Sequence, residues 1–118
     1  MPGSVRITSH VLDISRGAPA AGIAVRLEHR RGDAEDWRLV GSSVTNADGR
    51  VSDLSPASAP AAAGQYRLTF ETHRYFAGQA ISTLYPAVVI VIEAAAGESH
   101  YHVPLLLSPF GYTTYRGS

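Results

Sequence analysis

The sequence contains no cysteine, which excludes disulfides and thiolate-bound metals and leaves the redox compartment open. It contains no lysine either, since all ten basic side chains are arginine, and nothing functional follows from that. No sign of charge prevails: ten basic residues balance ten acidic ones, unlike the cationic footprint of a nucleic-acid binder. Long apolar runs are also missing. The most apolar stretch, Tyr85 to Ala96, is too short for a membrane helix and is rich in Val and Ile. The opening MPGSVRITSH lacks the apolar segment of a secretory signal, and the closing Arg-Gly-Ser is not a peroxisomal address. The expectation is a soluble, cytoplasmic protein with neither nucleic acid nor membrane among its partners.

What is present is ordinary globular composition, 45% hydrophobic and 17% charged over 118 residues. That length suits one domain with a single modest core, spanning residues 1–118. Short stretches with alternating polarity follow one another, separated by turn residues. Ile7 to Ile14 reads as a first strand, closed by Ser15-Arg16-Gly17-Ala18-Pro19. Ile23 to His29 alternates, with Ile23, Val25 and Leu27 on one face. The charged segment Arg30 to Asp36 reads as a hairpin loop before a strand over Trp37 to Thr45. Asn46-Ala47-Asp48-Gly49 forms a tight turn into a short strand, Arg50 to Leu54. Ser55 to Gly64, rich in alanine, reads as a loop.

Gln65 to Thr72 places Tyr66, Leu68 and Phe70 on one side. His73 to Ile81 carries the one helical pattern, with Phe76, Ala77 and Ala80 at helical spacing. Ala87 to Glu93, Tyr101 to Leu107 and Gly111 to Tyr115 complete the strands. About eight strands with one short helix between the fifth and sixth predict an all-β, two-sheet sandwich. Each sheet then buries one face and leaves the other for function or assembly.

Five histidines are candidates for chemistry. His29 stands among charges and reads as a solvated surface residue. His73 at the helix start reads as capping or packing. His100 and His102 lie two apart on a strand, so they share a face opposite Tyr101, Val103 and Leu105. This His-x-His pair, with His10 as a third group, invites a zinc reading, yet no acidic residue or cysteine stands at a spacing to complete the site. No metal is expected. The second use of such histidines is acid–base chemistry, one imidazole deprotonating water and another protonating a leaving nitrogen. Arg50 and Arg116 are the candidates for a permanently charged clamp on a carbonyl or developing oxyanion, although spacing by itself favours plain surface arginines for both.

Three segments carry a resemblance: SHVLDISRGAPAAGIAVRL, VTNADGR and HYHVPLLLSPFGYTTYRGS. In order and content they resemble the transthyretin-like family, and within it the 5-hydroxyisourate hydrolases of urate breakdown. The turns and inward positions recur in many sandwiches and are weak signals. The terminal Tyr115-Arg116-Gly117-Ser118 is sharper, being similar to the ending that separates the hydrolases from the hormone carrier of the same fold.

The resemblance implies a transthyretin-like sandwich and a cyclic amide hydrolase that converts 5-hydroxyisourate to 2-oxo-4-hydroxy-4-carboxy-5-ureidoimidazoline without a cofactor. It assigns catalysis to His10, Arg50, His102 and Ser118, and substrate binding to His10, Arg50, Tyr115, Arg116, Gly117 and Ser118. It also implies a homotetramer, a dimer of dimers, with the sites where the dimers meet. Either His10 or His102 would be the general base; His100 is expected to be a neighbour only. A transthyretin-like small-ligand carrier without catalysis is the alternative, because one fold serves both.

Overall fold

The computed structural model describes residues 5–52, 54 and 63–118. Among them run nine strands and one helix: β1 Arg6–Asp13, β2 Ala18–Pro19, β3 Ala24–Arg30, β4 Arg38–Val44, β5 Arg50–Val51, β6 Gly64–Phe70, α1 Thr72–Ala77, β7 Val88–Ala94, β8 His100–Ser108 and β9 Gly111–Thr114. The predicted eight strands are all present, each within a few residues of its expected bounds. The ninth is the two-residue β2, which arises because the turn after β1 folds back and pairs Leu12 with Pro19. The helix follows the expected strand and is simply renumbered, between β6 and β7. Residues 55–62 of the alanine-rich loop lie outside the described residues.

The strands form two sheets. One runs β4-β3-β6-β7, all antiparallel. The other runs β2-β1-β8-β9, with β5 added on β1. In this second sheet β1 and β8 are parallel, Thr8 opposite His102 and His10 opposite Pro104. Parallel neighbours cannot be joined by a tight turn, so this pair is made by segments from opposite ends of the chain.

The core follows from alternation. Ile23, Val25 and Leu27 face inward from one side, Tyr66, Leu68 and Phe70 from the next strand, and Ile7, Val11, Val103, Leu105 and Leu107 from the facing sheet. Each such side chain contributes about 1.5–3 kcal/mol by leaving water. Asp13, fully buried at the end of β1, is satisfied: its carboxylate accepts from the Ser15 amide and hydroxyl and from the Tyr75 hydroxyl at 2.7 Å. That last bond ties α1 to the sheet that carries the site.

Two local expectations change. The helix ends at Ala77, because Gly78 closes it and Ala80 takes a positive φ of 58°. Its buried side is Thr72 and Phe76, one turn apart, while Ala77 and Ala80 are exposed. His73 is exposed and no side chain caps the helix start. His29 is half-buried rather than solvated: its Nε2–H donates to the Ala63 carbonyl at 3.1 Å and its ring packs, tilted by 42°, against Tyr66. A charged neighbourhood in sequence hid that contact, which depends on a residue 34 positions away.

Candidate active site

The outer face of the β1–β8 pair is polar. β1 points Ile7, Ser9, Val11 and Asp13 inward, which turns Thr8 and His10 to the other face. β8 does the same, burying Tyr101, Val103 and Leu105 and turning out His100 and His102. The expected sharing of one face by the two tail histidines is therefore borne out.

Arg50 reaches this face through its turn. The Asn46 side-chain oxygen accepts from the amides of Asp48 and Arg50, at 2.9 and 3.0 Å. Gly49 sits at φ 76°, and a Cβ there would run into the Val11 carbonyl, so only glycine lets the turn press against β1. The result sets Arg50 directly opposite His10 in the β1–β5 pairing. The turn also holds the histidine: His10 Nε2 lies 2.8 Å from the Asp48 carbonyl. A carbonyl only accepts, so Nε2 carries the proton and, in the neutral ring, Nδ1 keeps the lone pair.

The tail closes the other side. Gly117 bridges to His102, its amide donating to the His102 carbonyl at 2.8 Å. The His102 ring is gripped at two edges. Its Nδ1 lies 2.7 Å from the Thr8 hydroxyl, and Gly117 covers its Cδ2 edge. Nε2 is left as the nitrogen able to meet a ligand. Thr8, Arg50, His100, His102 and Ser118 surround a shallow depression of about 270 Å³ together with Arg6. His10 stands beside it, next to Arg50.

Electrostatics favour a neutral His102. Burial of the half-covered ring pushes its pKa below the ordinary histidine value, and the positive charges of Arg50, His100 and His10 add to that shift. An imidazole biased towards its neutral form with a free Nε2 is a base ready to take a proton from water.

Tyr115 and Arg116 lie elsewhere in the single chain. The Arg116 guanidinium pairs with Glu98 at 2.8 Å, donates to the His100 carbonyl and stacks over the Tyr101 ring at 4.3 Å. Both residues line an apolar crevice with Ile90, Ile92 and Val103 rather than the depression. Arg116 thereby anchors the tail that presents Gly117 and Ser118. Among the described residues no group of three or more histidines and carboxylates is placed to hold a metal ion, and no helix is long and apolar enough to cross a membrane.

Thr8 is the site residue that sequence reasoning missed. The available signal was its place two residues before His10 on an alternating strand, which puts both on one face.

The molecule is thus a two-sheet β-sandwich protein with a histidine–arginine cluster on one outer face. The HIUase/Transthyretin family model matches residues 7–117, and the chain belongs to that family. It is 43% identical to the 5-hydroxyisourate hydrolase 2 of Rhizobium meliloti, with all of both chains covered. The solved structure of Klebsiella pneumoniae 5-hydroxyisourate hydrolase superposes with a TM-score of 0.83 at 38% identity, covering 97% of this chain and 99% of that one. Sea bream transthyretin in complex with thyroxine superposes with a TM-score of 0.85 at 30% identity, covering 94% of this chain and 93% of that one.

Proposed function

We propose that this protein is a 5-hydroxyisourate hydrolase that opens a cyclic amide by water attack, using His102, His10, Arg50 and Ser118. Supporting the reading most directly is the convergence of groups from four separated segments: Arg50, His102 and Ser118 around one depression, with His10 paired to Arg50. The hydrolase relative aligned over its full length supports the substrate.

His102 Nε2 removes a proton from water, which attacks a ring carbonyl of the substrate. Arg50 binds the carbonyl oxygen and stabilises the negative charge that develops on it, an interaction stronger in the transition state than before it. The ring nitrogen leaves with a proton returned by an imidazolium. His10, held at Nε2 by the Asp48 carbonyl, orients the water or substrate through Nδ1. Ser118 offers its hydroxyl to the same ligand, while Tyr115, Arg116 and Gly117 hold the tail against β8. The same surface is where two dimers of a homotetramer meet, so that neighbouring chains cover an otherwise open depression and exclude bulk water from it.

The test is the decay of freshly generated 5-hydroxyisourate absorbance with and without purified protein, beside light scattering of the same sample. Acceleration by a particle of four 12.6-kDa chains is the expected result. Stoichiometric binding of the substrate without turnover would instead make the protein a carrier, as the shared fold allows.

Gly117→Ala gives a sharper check on the tail. A Cβ at this position would stand 2.6 Å from His102 Cδ2 and 3.0 Å from Pro104 Cγ. The ring or the tail has to move, and a displacement near 1 Å at a reacting group costs roughly 10²-fold in rate. We expect that loss in kcat with the melting temperature nearly unchanged. Full activity in the variant would mean that the tail is not seated on His102 during turnover.

A further inference from the structure

The hydroxyl of Thr8 touches two imidazoles at once. Its Oγ1 lies 2.7 Å from His102 Nδ1 and 2.9 Å from His100 Nε2. The three residues come from strands that pair in parallel, with Thr8 directly opposite His102, and His100, two residues earlier, opposite Arg6. The rings themselves are 6.5 Å apart, too far for direct hydrogen bonding, so the hydroxyl is the link between them. Thr8 is buried, whereas His100 is exposed.

A hydroxyl has one proton and accepts through two lone pairs. It can therefore donate to only one of these rings. If it donates to His102 Nδ1, the neutral His102 must carry its proton on Nε2, and that nitrogen cannot act as a base. If it donates to His100 Nε2, His102 donates Nδ1–H to it and keeps the Nε2 lone pair. The second arrangement is the one compatible with water activation.

We propose that Thr8 is a positioning residue which holds His102 as the Nδ1–H tautomer and connects it to His100, so that the proton taken from water has an outlet. The inference rests on His102 being the base. In the relay the water O–H bond breaks as the His102 Nε2–H bond forms. His102 Nδ1–H then passes to Thr8 Oγ1, whose own proton moves to His100 Nε2. His102 is then neutral with its proton on Nε2. As that proton goes to the leaving nitrogen the relay runs in reverse, the Thr8 proton passing to His102 Nδ1 and His100 Nε2–H to Thr8 Oγ1, so that His102 stays neutral throughout. Between the two steps His100 holds the proton as an exposed imidazolium. No oxidant, metal or further reactant is needed. His100 thus has a part in proton traffic, beyond the neighbour expected from the sequence.

The decisive variant is Thr8→Val, nearly isosteric and lacking only the hydroxyl, with Thr8→Ser restoring it. Nitrogen-15 NMR of the imidazoles, read without substrate, should show His102 protonated at Nδ1 in the wild type and in Thr8→Ser. Thr8→Val should shift it towards Nε2–H. In turnover, Thr8→Val should lower kcat about 10–100-fold with KM nearly unchanged, less than the roughly 10⁴-fold loss seen when a buried carboxylate that fixes a catalytic histidine's tautomer is neutralised. Thr8→Ser should recover most of that rate. His100→Gln should lower kcat as well, and the double variant should be no worse than the poorer single one, because groups in one relay are not additive.

A wild-type His102 protonated at Nε2, or a Thr8→Val enzyme with undiminished kcat, overturns the proposal. Wild-type protein without any hydrolytic activity would count against the hydrolase function itself, and the NMR tautomer would still decide the role of Thr8.

Discussion

Replacing His102 by Gln lowers kcat by about 10²–10⁴-fold, the range that a positioned proton-transfer group contributes. The expected protein remains folded. His102 lies on the outer face of its sheet, and its inward neighbours Tyr101 and Val103 keep their place in the core. Glutamine preserves a polar group of similar reach but cannot take a proton near neutral pH. The loss should therefore appear in kcat more than in KM, as expected for a group whose contribution belongs to the transition state. The same substitution at His10 separates the two imidazoles. If His10→Gln has the larger effect on kcat and His102→Gln retains more than a tenth of the activity, the base is His10 and the two histidines exchange roles.

Arg50→Met is the second large effect, and it has two readouts. Loss of a charged donor aimed at a developing oxyanion costs roughly 10²–10³-fold in kcat. The other readout is the position of the acid limb. His102 has to be neutral to act, so activity falls as pH drops through its pKa. That pKa is depressed first by burial, then by the charge of Arg50, with His100 and His10 contributing less. The wild-type acid limb consequently lies below the ordinary histidine range. Removing the Arg50 charge takes away one of the forces opposing protonation, so the limb moves to higher pH. It does not recover fully, since burial remains. A pH profile of kcat/KM for both proteins checks the sign, and an unshifted or lowered limb would mean that the Arg50 charge does not act on His102.

Both predictions depend on how the second sheet is assembled. Arg50 enters the site only because Gly49 lets its turn lie against β1 and because Asn46 holds that turn closed. The Asn46-Ala47-Asp48-Gly49 turn was legible in the sequence, since Gly and Asn mark such turns for steric reasons. Its docking beside His10 was not. Likewise the alternation in IAVRLEH and QYRLTF announces strands with one buried face, and the structure buries Val25, Leu27, Tyr66, Leu68 and Phe70 accordingly. The helix was misjudged in extent. Its apolar spacing pointed to Phe76, Ala77 and Ala80, whereas the chain leaves the helix at Gly78 and buries only Phe76 of the three.

The tail shows the same division. Its terminal Tyr-Arg-Gly-Ser carried the family resemblance, yet its four residues do different things. Ser118 lines the depression, and Gly117 packs against the His102 ring. Arg116 turns away to Glu98 and Tyr101, where it secures the strand end rather than facing the site of the single chain. Adjacent residues on an extended segment point in opposite directions, so a motif read as one unit divides into an anchor and a contact.

By itself, then, the sequence determined the class of fold, the inward face of most strands, the shared orientation of His100 and His102, and the family. These are local properties, set by period, turn chemistry and the order of motifs. Only the tertiary structure decided that β1 lies parallel to β8, and with it the contact of Thr8 with two histidines more than ninety positions away. The reason is physical. Alternation states which way a side chain points from its own strand, but the partner across the sheet is chosen by packing of the whole core, and no short stretch of chain encodes it.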